Sequence, residues 1–261
     1  MLKALWNKTL VKRVFYVFVI IVVWEIIFNM EVFSPLLFPS PFTVLSTFVR
    51  EIGDGSLLLK AGSSLLMIFL GLFISVAIVI VLMTLVMISK TIRDLSSTLI
   101  SVLDPLPGVA LLPIAILWFG VGSEAILFVM VHSILWPILL SVITGFDSVP
   151  LIFREVGMGM GLSKMRMMTG VYIPSAFPNI LAGLKTGWSR AWRSLIAAEM
   201  VFGAVGKIAG LGWDIYYKRS YLDMPGMFAS LIMIMIIGIL MEDYFFKRVE
   251  KATLVKWGMV I

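Results

Sequence analysis

The chain has 261 residues, 61% of them hydrophobic and 14% charged, with a net charge of +6 and a mean hydropathy of +1.07. That apolar content exceeds the roughly 45–50% of a water-soluble domain and excludes one. The absence of cysteine excludes disulfides and thiolate metal sites. In lipid a backbone satisfies its own polar groups as helices or closed barrels, and stretches of about 20 apolar residues, the length of a spanning helix, recur along the chain. The expected fold class is therefore an all-α membrane protein with about six transmembrane helices.

The six expected spans cover residues 14–29, 65–88, 95–119, 125–145, 176–202 and 225–244, each apolar around its circumference. The first has a basic flank, but Phe28-Asn29-Met30-Glu31 after it is no small-residue cleavage site, so it reads as a retained anchor. Beyond it, Pro39-Ser40-Pro41 predicts the start of a short amphipathic helix over 42–52, with Val44, Leu45, Phe48, Val49 and Ile52 on one face at the outer interface. Pro105, Pro107 and Pro113 predict that span three is kinked or broken near its inner half. Such a break is tolerated where protein or a water-filled cavity satisfies the freed groups, which leaves a pathway lining or a packing kink as readings.

His132, the only histidine, lies in span four beside Ser133 and Trp136-Pro137. A hydrogen bond to a neighbouring helix is its expected role, with a pathway role as the alternative. Span five carries Lys185, Arg190, Arg193 and Glu199. Arg190 and Arg193 share a helical face; either they face an anionic solute, or Glu199 or Asp104 neutralises them, while Lys185 reaches the headgroups. The connection 203–224 holds Gly206, Gly210, Gly212, Trp213, Tyr216, Tyr217 and Tyr221, aromatics suited to the headgroup belt.

Lys and Arg collect on one side of these spans. Lys3, Lys8, Lys12 and Arg13, then Lys90 and Arg93, Arg154, Lys164 and Arg166, and Lys247, Arg248, Lys251 and Lys256 all fall there if both termini are cytoplasmic. The other side holds fewer cations, diluted by acids. No basic cluster is interleaved with exposed aromatics, which argues against nucleic acid as a partner. The methionines around 158–168 suit adaptable contact with a partner better than a copper site. No phosphate loop is present, since Gly206-Lys207 continues with Ile208, and no nucleophile–base constellation accompanies His132. The expectation is a non-enzyme with no catalytic residue, no metal site and no cofactor of its own.

Between spans four and five stand Glu155-Val156-Gly157, Gly161 three residues on, and Val171-Tyr172-Ile173-Pro174 after nine more. This spacing resembles the cytoplasmic coupling loop of ABC-importer permeases, with Val156 and Gly157 where that family has two alanines. Pro39-Ser40-Pro41, Asp104-Pro105-Leu106-Pro107, Leu111-Leu112-Pro113, Leu117-Trp118-Phe119-Gly120-Val121-Gly122 and Ala198-Glu199-Met200 extend the resemblance to the nitrate/taurine/sulfonate branch of type I importers. It implies a driven transport subunit of a prokaryotic cell membrane. Residues 1–58 are then an N-terminal helix with an outer segment, 59–249 the permease core with its coupling loop at about 150–174, and 250–261 a cytoplasmic tail. Arg154, Glu155, Val156, Gly157, Gly161 and Pro174 are the implied ATPase-coupling residues. Pro105, Pro107, His132, Arg190, Arg193 and Glu199 are the pathway candidates.

The implied partners are two ABC ATPase subunits, which bind ATP and Mg, an extracytoplasmic solute-binding protein, and a second permease subunit in a homodimer. The implied solute is a small anion of the nitrate, sulfonate, taurine or bicarbonate class, with a neutral or cationic vitamin precursor as the alternative. An ion-coupled secondary transporter and a non-transporting membrane scaffold are the remaining readings.

Overall fold

The computed structural model describes residues 9–203 and 209–256, all helix and connection. The expectations placed on Lys3, Lys8, Gly206, Lys207 and Ile208 fall outside the described residues. Helix α1 (Thr9–Asn29) is joined to the rest near its end, where the Trp24 indole donates to the Pro39 carbonyl at 3.0 Å and its ring meets Phe38 and Phe228. The short α2 (Pro41–Gly53) starts where its sequence directs: Ser40 caps it, accepting from the Thr43 N–H, and Pro41 fits a first turn that needs no donor. Next come α3 (Ser56–Ile88), α4 (Lys90–Leu103), a 3-10 turn (Gly108–Leu111) and α5 (Leu112–Phe119). After these follow α6 (Ser123–Asp147), α7 (Leu151–Gly159), α8 (Lys164–Met167), a π-helical turn (Met168–Tyr172) and α9 (Ile173–Phe202). The chain continues through α10 (Leu211–Ser220) and α11 (Met224–Ile239), whose axis runs on in helical turns to Leu254.

By length and composition three of these stretches suffice to cross a membrane: Ser56–Ile88, Ser123–Asp147 and Met224–Leu254. A fourth is added if α4 and the segment Gly108–Phe119, which meet at 91°, form one span. The expected count of six is therefore higher than these criteria reach, because α1 and α9 are long but carry Lys12, Arg13 and Glu25, and Lys185, Arg190, Arg193 and Glu199 respectively. Span three also corrects the expectation in two ways. Its helix begins at Lys90, five residues early, and this half is not apolar all round, bearing Lys90, Arg93, Asp94, Ser96, Ser97, Thr98 and Ser101. The break falls at Asp104–Pro107, mid-segment, where two prolines withhold N–H groups and the chain turns sharply.

The centre of the bundle is α6 against α9, made close by small residues. A methyl added at Gly183 would meet Ser141 Cβ at 2.6 Å, one at Gly145 would meet Asn179 Cβ at 2.8 Å, and one at Gly187 would lie 3.1 Å from Ile138. Between membrane helices, where apolar association gains little over lipid, such backbone approach supplies the packing. Trp188 is buried there, stacked on Trp192 at 6.0 Å between centroids. Gly183→Val is expected to spread this seam and lower stability by about 1–3 kcal/mol through overpacking. A thermal melt of the detergent-solubilised chain reads it, and an unchanged melting temperature contradicts the packing described.

At the other end of the bundle from α7, helices α2, α3, α10 and α11 are joined by a buried polar cluster. Lys218 Nζ donates to Glu51 Oε2 at 2.6 Å, to Ser230 Oγ at 3.1 Å and to the Gly226 carbonyl at 3.2 Å, with Asp214 Oδ2 at 2.9 Å. Lys60 pairs with the other Asp214 oxygen at 2.5 Å. Elsewhere Arg13 pairs with Asp243 and Arg93 with Asp147. Each of these pairs joins residues that the charge distribution places on one side, so the helices assemble with the two sides kept apart.

Candidate functional site

Where span three breaks, a cavity of about 380 Å³ opens, lined by Asp104, Pro105, Pro107, His132, Arg190 and Arg193, with Ser133 and Ser194 behind. Five of the six pathway candidates thus come together from three separate stretches of chain. Gly108 lets the turn approach α6, since a methyl there would fall 2.1 Å from Ser133 Oγ. That hydroxyl donates to the Val129 carbonyl at 2.9 Å and lies 2.9 Å from Ser194 Oγ, so α6 and α9 are tied together behind the break.

The two arginines are not equivalent. The Arg190 guanidinium donates to both carboxylate oxygens and to the backbone carbonyl of Asp104, which answers the choice between solute and carboxylate in favour of Asp104 for this residue. Arg193 is exposed in the cavity and has no ion pair among the described residues. The cavity therefore holds two guanidiniums against one carboxylate, a surplus of one positive charge. His132 departs from expectation: neither ring nitrogen has a hydrogen-bond partner, although both atoms are shielded, and the ring instead meets Trp136 edge-on at 6.1 Å. It lines the cavity with both nitrogens buried and without a hydrogen-bond partner among the described residues.

Glu199 lies apart from this cavity. Its carboxylate is buried, accepting from Ser64 Oγ at 2.8 Å and from the Gly212 N–H at 2.8 Å, while Ser64 Oγ accepts from the Leu211 N–H at 2.9 Å. Glu199 thus satisfies the first turn of α10, a structural function. A methyl at Gly210 would sit 2.0 Å from its Oε1, so the glycine there is required by the carboxylate.

The second region is α7 with its flanks. Leu151, Ile152, Phe153, Val156 and Met158 are exposed on this nine-residue helix, as is Met160 just after it, and beside it Phe153, Val156, Gly157, Leu162 and Val171 line an open cleft of about 480 Å³. Gly161 ends the helix at φ +68, the left-handed conformation that disfavours a side chain, with the Leu162 N–H on the Gly157 carbonyl and the Gly161 N–H on that of Met158. Glu155 is exposed and forms no ion pair among the described residues.

Arg154 instead turns back on the protein. It donates to the Phe146 and Asp147 carbonyls at 3.0 and 3.2 Å and lies over the Tyr172 ring at 5.5 Å, joining α7 to the end of α6 and the start of α9. Pro174 occupies the first turn of α9, where its missing N–H costs nothing. Gly157, where the resembled family carries alanine, is buried against Met167, whose Sδ would be 2.4 Å from an added methyl. The departure from alanine was the one sequence signal of that contact.

Helix α7 is thus an exposed apolar helix that Arg154 joins to the end of α6 and the start of α9. Residues 81–255 match the family described as binding-protein-dependent transport system inner membrane component. The chain belongs to that family. It is 30% identical to a protein of Methanocaldococcus jannaschii named as an ABC transporter permease, over 90% of this chain and 88% of the relative. It is 29% identical to the taurine transport system permease protein TauC of Escherichia coli, over 86% and 82%. With the nitrate import permease protein NrtB of Synechocystis it shares 28% identity, over 93% and 89%. The chain is thus an ABC transporter permease of the nitrate/taurine-like branch, an inner-membrane protein. Ser64 and Ser194 were not singled out from this permease's sequence, since a serine in an apolar run carries no sign of its distant partner.

Proposed function

We propose that this permease forms half of an ATP-driven import pathway for a small anion, and that the cavity at the break of span three lies on it. The gathering of Pro105, Pro107, His132, Arg190 and Arg193 around one space carries the reading. A charge within a membrane helix faces protein, water or solute, and Arg193, with no ion pair among the described residues, supplies the positive field, while Arg190 and Asp104 hold the broken ends together. Helix α7, through Glu155 and its exposed apolar residues, takes up the closing movement of a separate ATPase and passes it to α6 and α9 as a rigid-body shift. Two copies of the chain, two ATPases and an external binding protein complete the importer. Both termini are cytoplasmic, and six spans include the charged α1 and α9. Residues 59–249 form the core, with 1–58 appended and 250–261 as a tail.

The test separates the arginines. Arg193→Gln is expected to slow anion uptake in proteoliposomes about tenfold, the effect of losing about 1.4 kcal/mol of attraction, with assembly unchanged. Arg190→Gln is expected to lower stability by about 1–2 kcal/mol, less than a fully buried pair would lose because the Arg190 side chain is 37% exposed. Undiminished uptake by Arg193→Gln contradicts the anionic assignment and favours the neutral or cationic solute.

A further inference from the structure

A second cleft lies on the flank formed by α3, α6 and α9. Its deep part, of about 300 Å³, is walled by Val79, Ile80, Met83, Val142, Ile180 and Leu184, with Thr84 the one polar residue, and that hydroxyl is already spent on the Ile80 carbonyl at 2.8 Å. Met83 and Phe146 also border a polar pocket of about 400 Å³, so the two adjoin. The charged groups of the polar pocket are Lys90, Arg93, Asp94, Asp147 and Arg154, three cations against two carboxylates. Arg93 is paired with Asp147 at 2.6 Å. Lys90 is exposed and without an ion pair among the described residues, and Arg154 Nε is buried with no hydrogen-bond partner. Around the apolar part, Ile80, Val81, Leu85, Met87 and Ile88 are exposed, as suits a surface in contact with lipid tails.

We propose that these adjoining clefts bind an anionic glycerophospholipid from the leaflet on the α7 side, one acyl chain in the apolar part and the phosphate at Lys90 and Arg154. The order of the parts is that of the ligand: an apolar slot for the tail, then, where α3 ends at Ile88 and α6 at Asp147, a mouth one positive charge in surplus. Bound there, the lipid bridges α3, α6 and the Arg154 anchor of α7. A water-soluble anion gains nothing from the apolar slot, which commits the site to a lipid. The inference does not depend on the solute or on the transport pathway.

Native mass spectrometry of the full chain, delipidated in detergent and supplied with dioleoyl phosphatidylglycerol or dioleoyl phosphatidylcholine, tests it. Phosphatidylglycerol is expected to be retained about fivefold better, the advantage of one interfacial cation. Lys90→Gln is expected to bring the two lipids near parity, and Thr84→Trp, which fills the slot, to reduce retention of both. Equal retention by the unaltered chain overturns the proposal. So does stabilisation by millimolar inorganic phosphate equal to that by phosphatidylglycerol, or loss of a dimer in Thr84→Trp, which would assign the face to a second copy of the chain.

Discussion

Replacing Lys218 by Met is expected to destabilise the protein by about 3–5 kcal/mol, the loss that follows when one partner of a buried charge cluster is removed. Glu51, 7% exposed, then keeps no ion pair among the described residues, and Asp214, 2% exposed, keeps Lys60 alone. The double change Lys218→Met with Glu51→Gln is expected to recover part of the loss, since the stranded carboxylate is gone. The cluster also sets a pH dependence. Burial raises the pKa of Asp214, but hydrogen bonds from Lys60, Ser230 and Lys218 together outweigh it and hold the carboxyl below its ordinary value. A group depressed in the folded state contributes stability above its unfolded pKa and loses it as pH falls through the folded one. Stability is therefore expected to decline below about pH 4, and thermal melts across that range, with and without Lys218, read both effects. A Lys218→Met protein that melts normally contradicts the cluster's role.

The second large effect belongs to α7. Gly161→Val places a β-branched residue at φ +68, a conformation that disfavours any side chain by about 1–2 kcal/mol and a branched one more. The exit of the helix is then expected to unwind, and transport to fall at least tenfold, the equivalent of about 1.4 kcal/mol of lost coupling, while the membrane helices stay folded. Glu155→Lys, on an exposed residue with no ion pair among the described residues, is expected to weaken ATPase co-purification without lowering the melting temperature. If both variants bind the ATPase and transport normally, α7 is not the coupling element.

What the sequence discloses depends on how local the cause is. Helix α2 begins at Pro41 and ends at Gly53, one residue beyond each expected bound, because cap, proline and apolar face all lie within it. The break of span three is readable from Pro105 and Pro107, whose effect is covalent, whereas the 91° turn depends on the groups packed around the break, and the polar character of Lys90–Leu103 rests on serines and charges interleaved with apolar residues. Side-chain partners across the bundle stayed hidden. Asp104 and Glu199 were equal candidates for the arginines until the fold set Asp104 beside Arg190 and gave Glu199 to Ser64 and the Gly212 N–H. His132 was expected to bond a neighbouring helix, but the space it faces is the cavity, an outcome no spacing along α6 could foretell. Arg154 reads as a basic flank in sequence, yet its guanidinium closes the end of α6.

The central claim, a solute pathway at the broken span worked by α7, can be tested without knowing the solute, because the chain contains no cysteine. Val109 lines the cavity and is 37% exposed, so Val109→Cys introduces one reactive thiol with little disturbance. In proteoliposomes holding the permease with its ATPase, a membrane-impermeant methanethiosulfonate is expected to label it from one face without nucleotide and from the other when the ATPase is trapped with ATP and vanadate. Glu155→Lys in the same background is expected to abolish the switch. Labelling that fails from both faces, or that ignores the nucleotide state, contradicts the pathway.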